Sequence, residues 1–197
     1  MATTDAIPGY RYGDPKLPRA AVTLEDLERM KRTVTFGEED RRALREALPI
    51  LEPQVEAILD VWYGFVGSQP HLSKHFSTPG GEPIPSYLSA VRARFGRWIL
   101  DTLRAEYDQA WLDYQLEIGR RHHRSGKNRT DGVESTPYIG VSDLIPLVYP
   151  IFATLRPFLE KSGVSRERVD AMQHAWLKSV LLQVTLWTHP YVGDRDF

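Results

Sequence analysis

Apolar residues recur at helical spacing along most of the chain. In PQVEAILDVWYGFVG (53–67), Val55, Ile58, Leu59, Trp62 and Val66 share one face, and Pro53 suits a first helical position. SYLSAVRARFGRWILDTL (86–103) places Tyr87, Val91, Phe95, Trp98 and Ile99 on one side, and DQAWLDYQLEIGRRHH (108–123) does the same with Trp111, Tyr114, Gln115 and Ile118. TLEDLERMKRTV (23–34) opens with Thr23 and Asp26 at capping-box spacing, and GEEDRRALREAL (37–48) reads as a short charged helix. VSDLIPLVYPIFATLRPFLEKSG (141–163) is apolar but carries prolines at 146, 150 and 157, so it must kink or start more than once. SRERVDAMQHAWLKSVLLQVTLWTH (165–189), capped by Ser165, is the longest run. Its apolar residues Val180, Leu181, Leu182, Val184, Leu186 and Trp187 fall on more than one side, so one face is expected to bury and another to remain for association. Two polar segments, STPGGEPIP (77–85) and GKNRTDGVESTPYIG (126–140), interrupt the pattern. No alternating strand run competes, and no linker or repeat divides the chain. The expected architecture is one all-α domain, residues 21–197, preceded by a Pro- and Gly-rich arm, residues 1–20. Tyr10 and Tyr12 equip that arm to pack on the body, although a free tail fits the composition equally well.

Composition narrows the function. The 197 residues are 42% hydrophobic, ample for a sizeable core. A net charge of −1 gives no general attraction to nucleic acid or anionic membrane. With no cysteine, disulfides, thiolate metal sites and iron–sulfur clusters are excluded. MATTDAIPGYRYGDPK has no apolar signal core, and no stretch reaches the length of a membrane span, so a cytoplasmic protein is expected.

Histidine is the candidate chemistry. On a helix turning about 100° per residue, His122 continues the stripe one turn after Ile118, whereas His123 swings toward the charged side. His122 then has two readings: a core histidine bonded to a backbone carbonyl, the commoner outcome, or a metal or haem ligand. Gly119, on a nearby azimuth, is expected to leave room for a flat group. The cations Arg120, Arg121, Arg124, Lys127 and Arg129 read as a solvated helix C-terminus, where positive charge meets the dipole favourably. HLSKH sets His71 and His75 at i, i+4, but Leu72 stands where the glutamate of HExxH belongs, which makes a zinc site a poor reading. GRRHHRSGKN has the wrong spacing for a phosphate loop. Trp62–Tyr63 fits a core pair, or a polar group orienting a small ligand beside an apolar pocket.

Taken together, IPGYRYG (7–13), QVEAILDVWYGFVGSQPHL (54–72), YLSAVRARFGRWILDT (87–102), YDQAWLDYQLEIGRRHHR (107–124) and LQVTLWTHPY (182–191) resemble the protoglobins, single-domain relatives of the globin-coupled sensor globins. The resemblance implies a three-on-three globin fold, extended by an N-terminal helix and an arm that covers the edge of haem b. It implies His122 as proximal ligand of a five-coordinate iron that reversibly binds O₂, CO and NO. Trp62, Tyr63, Phe95, Leu147 and Ile151 match the distal positions, Leu147 standing where relatives carry an aromatic, and Phe76 matches the phenylalanine that wedges against the haem. Val91 and Ile118, on their helical stripes, join the expected haem contacts, and Arg94 is either a propionate partner or an exposed arginine. No histidine lies between Ser86 and Leu103, so a hydrogen bond to O₂ is expected from Tyr63, with Trp62 as gate or second donor. The implied role is gas sensing, storage or detoxification. The alternatives are a haem enzyme (an NO dioxygenase or peroxidase-like catalyst, capable of carbene transfer, fed by an external reductant) and a sensor module signalling through a separate partner. A homodimer through the last two long helices is implied as well.

Overall fold

The computed structural model describes residues 7–192 and Phe197. Nine α-helices are found among them: α1 (Leu24–Thr33), α2 (Glu38–Leu51), α3 (Val55–Gly67), α4 (Pro70–Ser73), α5 (Pro85–Arg104), α6 (Gln109–His122), α7 (Val141–Leu144), α8 (Val148–Glu160) and α9 (Arg166–Thr188). Local chemistry explains where most of them begin. Thr23 and Asp26 form the expected reciprocal capping box on α1. Asp108 accepts from the Trp111 amide to start α6, and Ser165 accepts from the Arg168 amide to start α9. Pro53 sits in a 3₁₀ turn, Glu52–Gln54, rather than at the first position of α3. The proline-rich run starts twice: α7 stops before Pro146, and α8 restarts at Val148 and carries Pro157 inside it.

The centre of the fold is α9, which packs against α2, α6 and α8 and also touches α1 and α5. Being covered from several directions, it buries residues around most of its circumference, including Trp176, Val180, Leu182, Val184, Leu186 and Trp187. The expectation of a second apolar face is therefore corrected. Of the six apolar residues named above, only Leu181 stays exposed, because α2, α6 and α8 pack around the helix. Inside, the α9 side chains make polar contacts too: Gln183 Oε1 accepts from Trp98 Nε1 at 2.6 Å, and Ser179 Oγ accepts from the Tyr107 hydroxyl at 2.8 Å. These bonds satisfy groups that would otherwise carry a desolvation penalty. No helix among the described residues is long and apolar enough to cross a membrane.

Gly119 has a different role from the one expected. A Cβ built on it would lie 2.9 Å from Trp187 Cα and 3.0 Å from the Trp187 carbonyl oxygen. The missing side chain lets the α6 and α9 backbones cross closely, rather than leaving room for a ligand.

Candidate functional site

A cavity of about 220 Å³ opens between α3, α5, α6, α8 and the loop after α6. Packed interiors hold few voids larger than a water molecule, so a space of this size marks a site for an occupant. Its walls include Trp62, Tyr63, Phe76, Val91, Arg94, Phe95, Ile118, His122, Leu147 and Ile151, so all ten candidate residues from the sequence meet in one place. The helical stripes show how this happens. On α5, Tyr87, Trp98 and Ile99 are buried by protein, while Val91 and Phe95 from the same stripe stay partly open. On α6, Trp111, Tyr114 and Gln115 are buried, while Ile118 and His122 stay partly open. All four of the residues left open line the cavity, and Tyr87, Trp98 and Tyr114 of the same stripes border it.

His122 lies at the C-terminal end of α6. Its Nδ1 sits 2.8 Å from the Ile118 carbonyl oxygen, which can only accept, so Nδ1 carries the proton. Nε2 is left with a lone pair and no partner among the described residues. The ring stacks on Trp187, with centroids 5.3 Å apart and planes 14° apart. Burial pushes its pKa down to about 4, outweighing the Ile118 bond that favours the charged form. The imidazole is therefore neutral near pH 7, the form that can ligate a metal. His123 behaves differently, with Nδ1 against the Ser125 hydroxyl at 3.0 Å and its ring edge-on to Tyr191.

Elsewhere on the wall, Trp62 packs edge-on against Phe95 at 5.6 Å, and Tyr63 lies against Phe76 and Phe95 at 6.0 and 6.3 Å. Tyr63 is half enclosed, and its hydroxyl has no hydrogen-bond partner among the described residues. Desolvation raises its pKa further, which keeps it a proton donor at any ordinary pH. Arg94 is engaged with protein: its guanidinium pairs in bidentate fashion with Asp131, at 2.9 and 2.7 Å, and donates to the Pro8 carbonyl at 2.9 Å.

The sequence model of the Protoglobin family matches residues 23–196. This chain belongs to the protoglobin family. The globin domain of the Geobacter sulfurreducens globin-coupled sensor superposes on 84% of it, and over 97% of that domain, with a TM-score of 0.66 at 14% identity, which shows a globin fold. No curated protein matches. Membership supports a globin-type, gas-binding protein that takes haem in the general sense of its family.

The residues of this protoglobin fit that group. The cavity walls are mainly aromatic and aliphatic, as a porphyrin plane requires, and the unpartnered Nε2 of a neutral histidine opens onto them. At the rim, the buried Nη2 of Arg121 also lacks a partner.

Several lining residues were not anticipated. Lys127, assigned above to a solvated helix end, is only 6% exposed. Its Nζ contacts the Tyr87 hydroxyl at 2.9 Å and Asn128 Oδ1 at 2.8 Å, because the polar loop folds back over α5. Burial depresses its pKa to about 8. His75 is buried as well, with Nδ1 2.7 Å from the Thr136 hydroxyl and Nε2 3.4 Å from Asp143. The i, i+4 reading with His71 fails because α4 ends at Ser73 and a 3₁₀ turn, Lys74–Phe76, follows, leaving His71 exposed. Helical period carries no signal for these positions, since their burial is set by the path of the loops.

Proposed function

We propose that this protoglobin holds haem b through His122 and reversibly binds O₂, CO or NO beside Trp62 and Tyr63. One observation carries the reading. A neutral histidine with a free Nε2 and a tyrosine with a free hydroxyl line the same apolar cavity. When bound, haem supplies an iron centre able to ligate diatomic gases. The chain's own residues supply the rest. The Ile118 carbonyl fixes the His122 tautomer, and Trp187 fixes the plane of the ring. Phe76, Val91, Phe95, Ile118, Leu147 and Ile151 exclude water from the site. Leu147, aliphatic and partly open, leaves this part of the wall without an aromatic ring.

Tyr63 provides the polarity. A hydrogen-bond donor on this wall favours the more polar of two diatomic ligands, O₂ over CO. Tyr63→Phe removes the donor and little volume, so O₂ dissociation should speed up roughly 2- to 12-fold, the worth of one net hydrogen bond. CO dissociation should change much less. Flash photolysis and stopped-flow mixing measure both rates, and equal changes for the two gases would exclude Tyr63 as the donor.

The reading extends to a homodimer through α8 and α9. Tyr149, at the start of α8, is 72% exposed and Leu181 of α9 is 39% exposed. Sedimentation at micromolar concentration should give twice the monomer mass, and a monomer at that concentration contradicts it.

A further inference from the structure

The N-terminal arm and the cavity meet at one guanidinium. Arg121, which precedes His122, lines the cavity. Its Nη1 donates to the Gly9 carbonyl at 2.7 Å and its Nε to Glu117 at 3.0 Å. Arg94, also on the wall, holds the preceding arm residue through the Pro8 carbonyl. Tyr10 completes the docking by donating to Asp101 at 2.5 Å and packing edge-on against Tyr114 of the cavity wall. Two consecutive arm carbonyls are thus held by two cations of the cavity.

Those cations are short of counter-charge. Arg94 is matched by Asp131. Glu117 is shared between Arg121, at 3.0 Å, and Arg120, at 3.8 Å. Lys127 hydrogen-bonds to neutral acceptors, the Tyr87 hydroxyl, Asn128 Oδ1 and the His75 carbonyl, and feels Asp131 only at longer range. Three cations of the cavity wall, Arg94, Arg121 and Lys127, therefore meet two carboxylates, Asp131 and Glu117, and Glu117 is also drawn on by Arg120 outside the wall. Nη2 of Arg121 is buried without a hydrogen-bond partner. Unpaired buried donors and charges are costly, and a ligand bearing two carboxylates would satisfy the open Nη2 of Arg121 and give the buried Lys127 ammonium a direct counter-charge. Arg94 is the weaker candidate for this task, because Asp131 already occupies its fork.

We propose that Arg121 couples closure of the arm to the carboxylates of the bound tetrapyrrole, with Lys127 holding the second carboxylate. This inference rests on the haem reading above. One carboxylate meets Nη2 of Arg121, whose Nη1 holds Gly9; the other meets the ammonium of Lys127. Fixing the guanidinium from the ligand side orders it for the arm, and fixing it from the arm side orders it for the ligand. The coupling is reciprocal, as linkage requires. Gly9 sits at φ +75°, and a Cβ there would lie 2.6 Å from Thr130 Cγ2 and 2.7 Å from Arg94 Nη1, so the docked arm accepts only glycine at this point.

The arm carries its own reporters, the trypsin sites Arg11, Lys16 and Arg19. Trypsin cleavage in the arm should slow about tenfold when the full-length chain binds haem, a factor usual for linked sites. It should slow little with haem dimethyl ester, whose carboxylates are masked. Arg121→Gln, compared at haem saturation checked by absorbance, should lose the protection given by haem. Lys127→Gln should reduce the preference for haem over the ester and keep arm protection. Gly9→Ala, which leaves the Arg121 and Lys127 side chains intact, should speed haem transfer to apomyoglobin about tenfold. Equal protection by haem and its ester, or full protection in Arg121→Gln, overturns the coupling alone. A wild-type chain that takes up neither porphyrin overturns the haem reading and the coupling with it.

Discussion

His122→Ala is expected to strip the protein of haem, whereas His123→Ala is expected to retain it. The two residues are neighbours in sequence and differ in everything that matters for ligation. His122 lines the cavity, is held neutral by burial, and is protonated on Nδ1 by its contact with the Ile118 carbonyl, which leaves Nε2 free. His123 is turned away, with Nδ1 engaged by Ser125 and its ring against Tyr191 outside the lining. Titrating each purified variant with haem and following the absorbance separates them. Saturable uptake by wild type and His123→Ala, with none or a changed spectrum for His122→Ala, is the expected result. The reverse would remove His122 from the site.

Gly119→Val is expected to cost more stability than any exposed substitution. The first atom added would lie 2.9 Å from a main-chain carbon of α9, and main chain cannot rotate away as a side chain can. The helices must separate, loosening the Trp187 indole donation to Gln115 at 2.9 Å and the stacking of Trp187 on His122. Overpacking of this kind costs about 1–3 kcal/mol or more, and a chain of this size loses roughly 2–4 °C of Tm per kcal/mol. Gly64→Ala is the matched control. Gly64 lies within α3 with nothing near its missing Cβ, so the change should raise stability by up to about 1 kcal/mol. Thermal unfolding of both variants decides the point; a Gly119→Val midpoint at or above wild type would show that the helices do not cross there.

Much of this arrangement is legible before any coordinates. Helical phase alone separates His122 from His123 and gathers Val91, Phe95 and Ile118 toward one interior, because an α-helix converts spacing directly into direction. Capping by Thr23 and Ser165 and the restart beyond Pro146 are equally local. What period does not carry is contact between distant segments. Lys127 reads as one more cation at a helix end until the loop after α6 folds onto Tyr87. Arg94 reads as a propionate partner until Asp131 and Pro8 arrive from two other parts of the chain. Gly119 reads as space for a ligand until α9 crosses it. In each case the deciding partner lies tens of residues away, where spacing along one helix has nothing to say.

The central claim is that the cavity beside His122 holds a gas-ligating haem, and its most direct test is one set of absorption spectra. The purified full-length protein is supplied with haem, reduced, and recorded with and without CO. One haem per chain, with a strong Soret band that shifts on adding CO and returns when CO is removed, is the expected result. A chain that acquires no Soret band, or one whose band CO leaves unchanged, contradicts the claim.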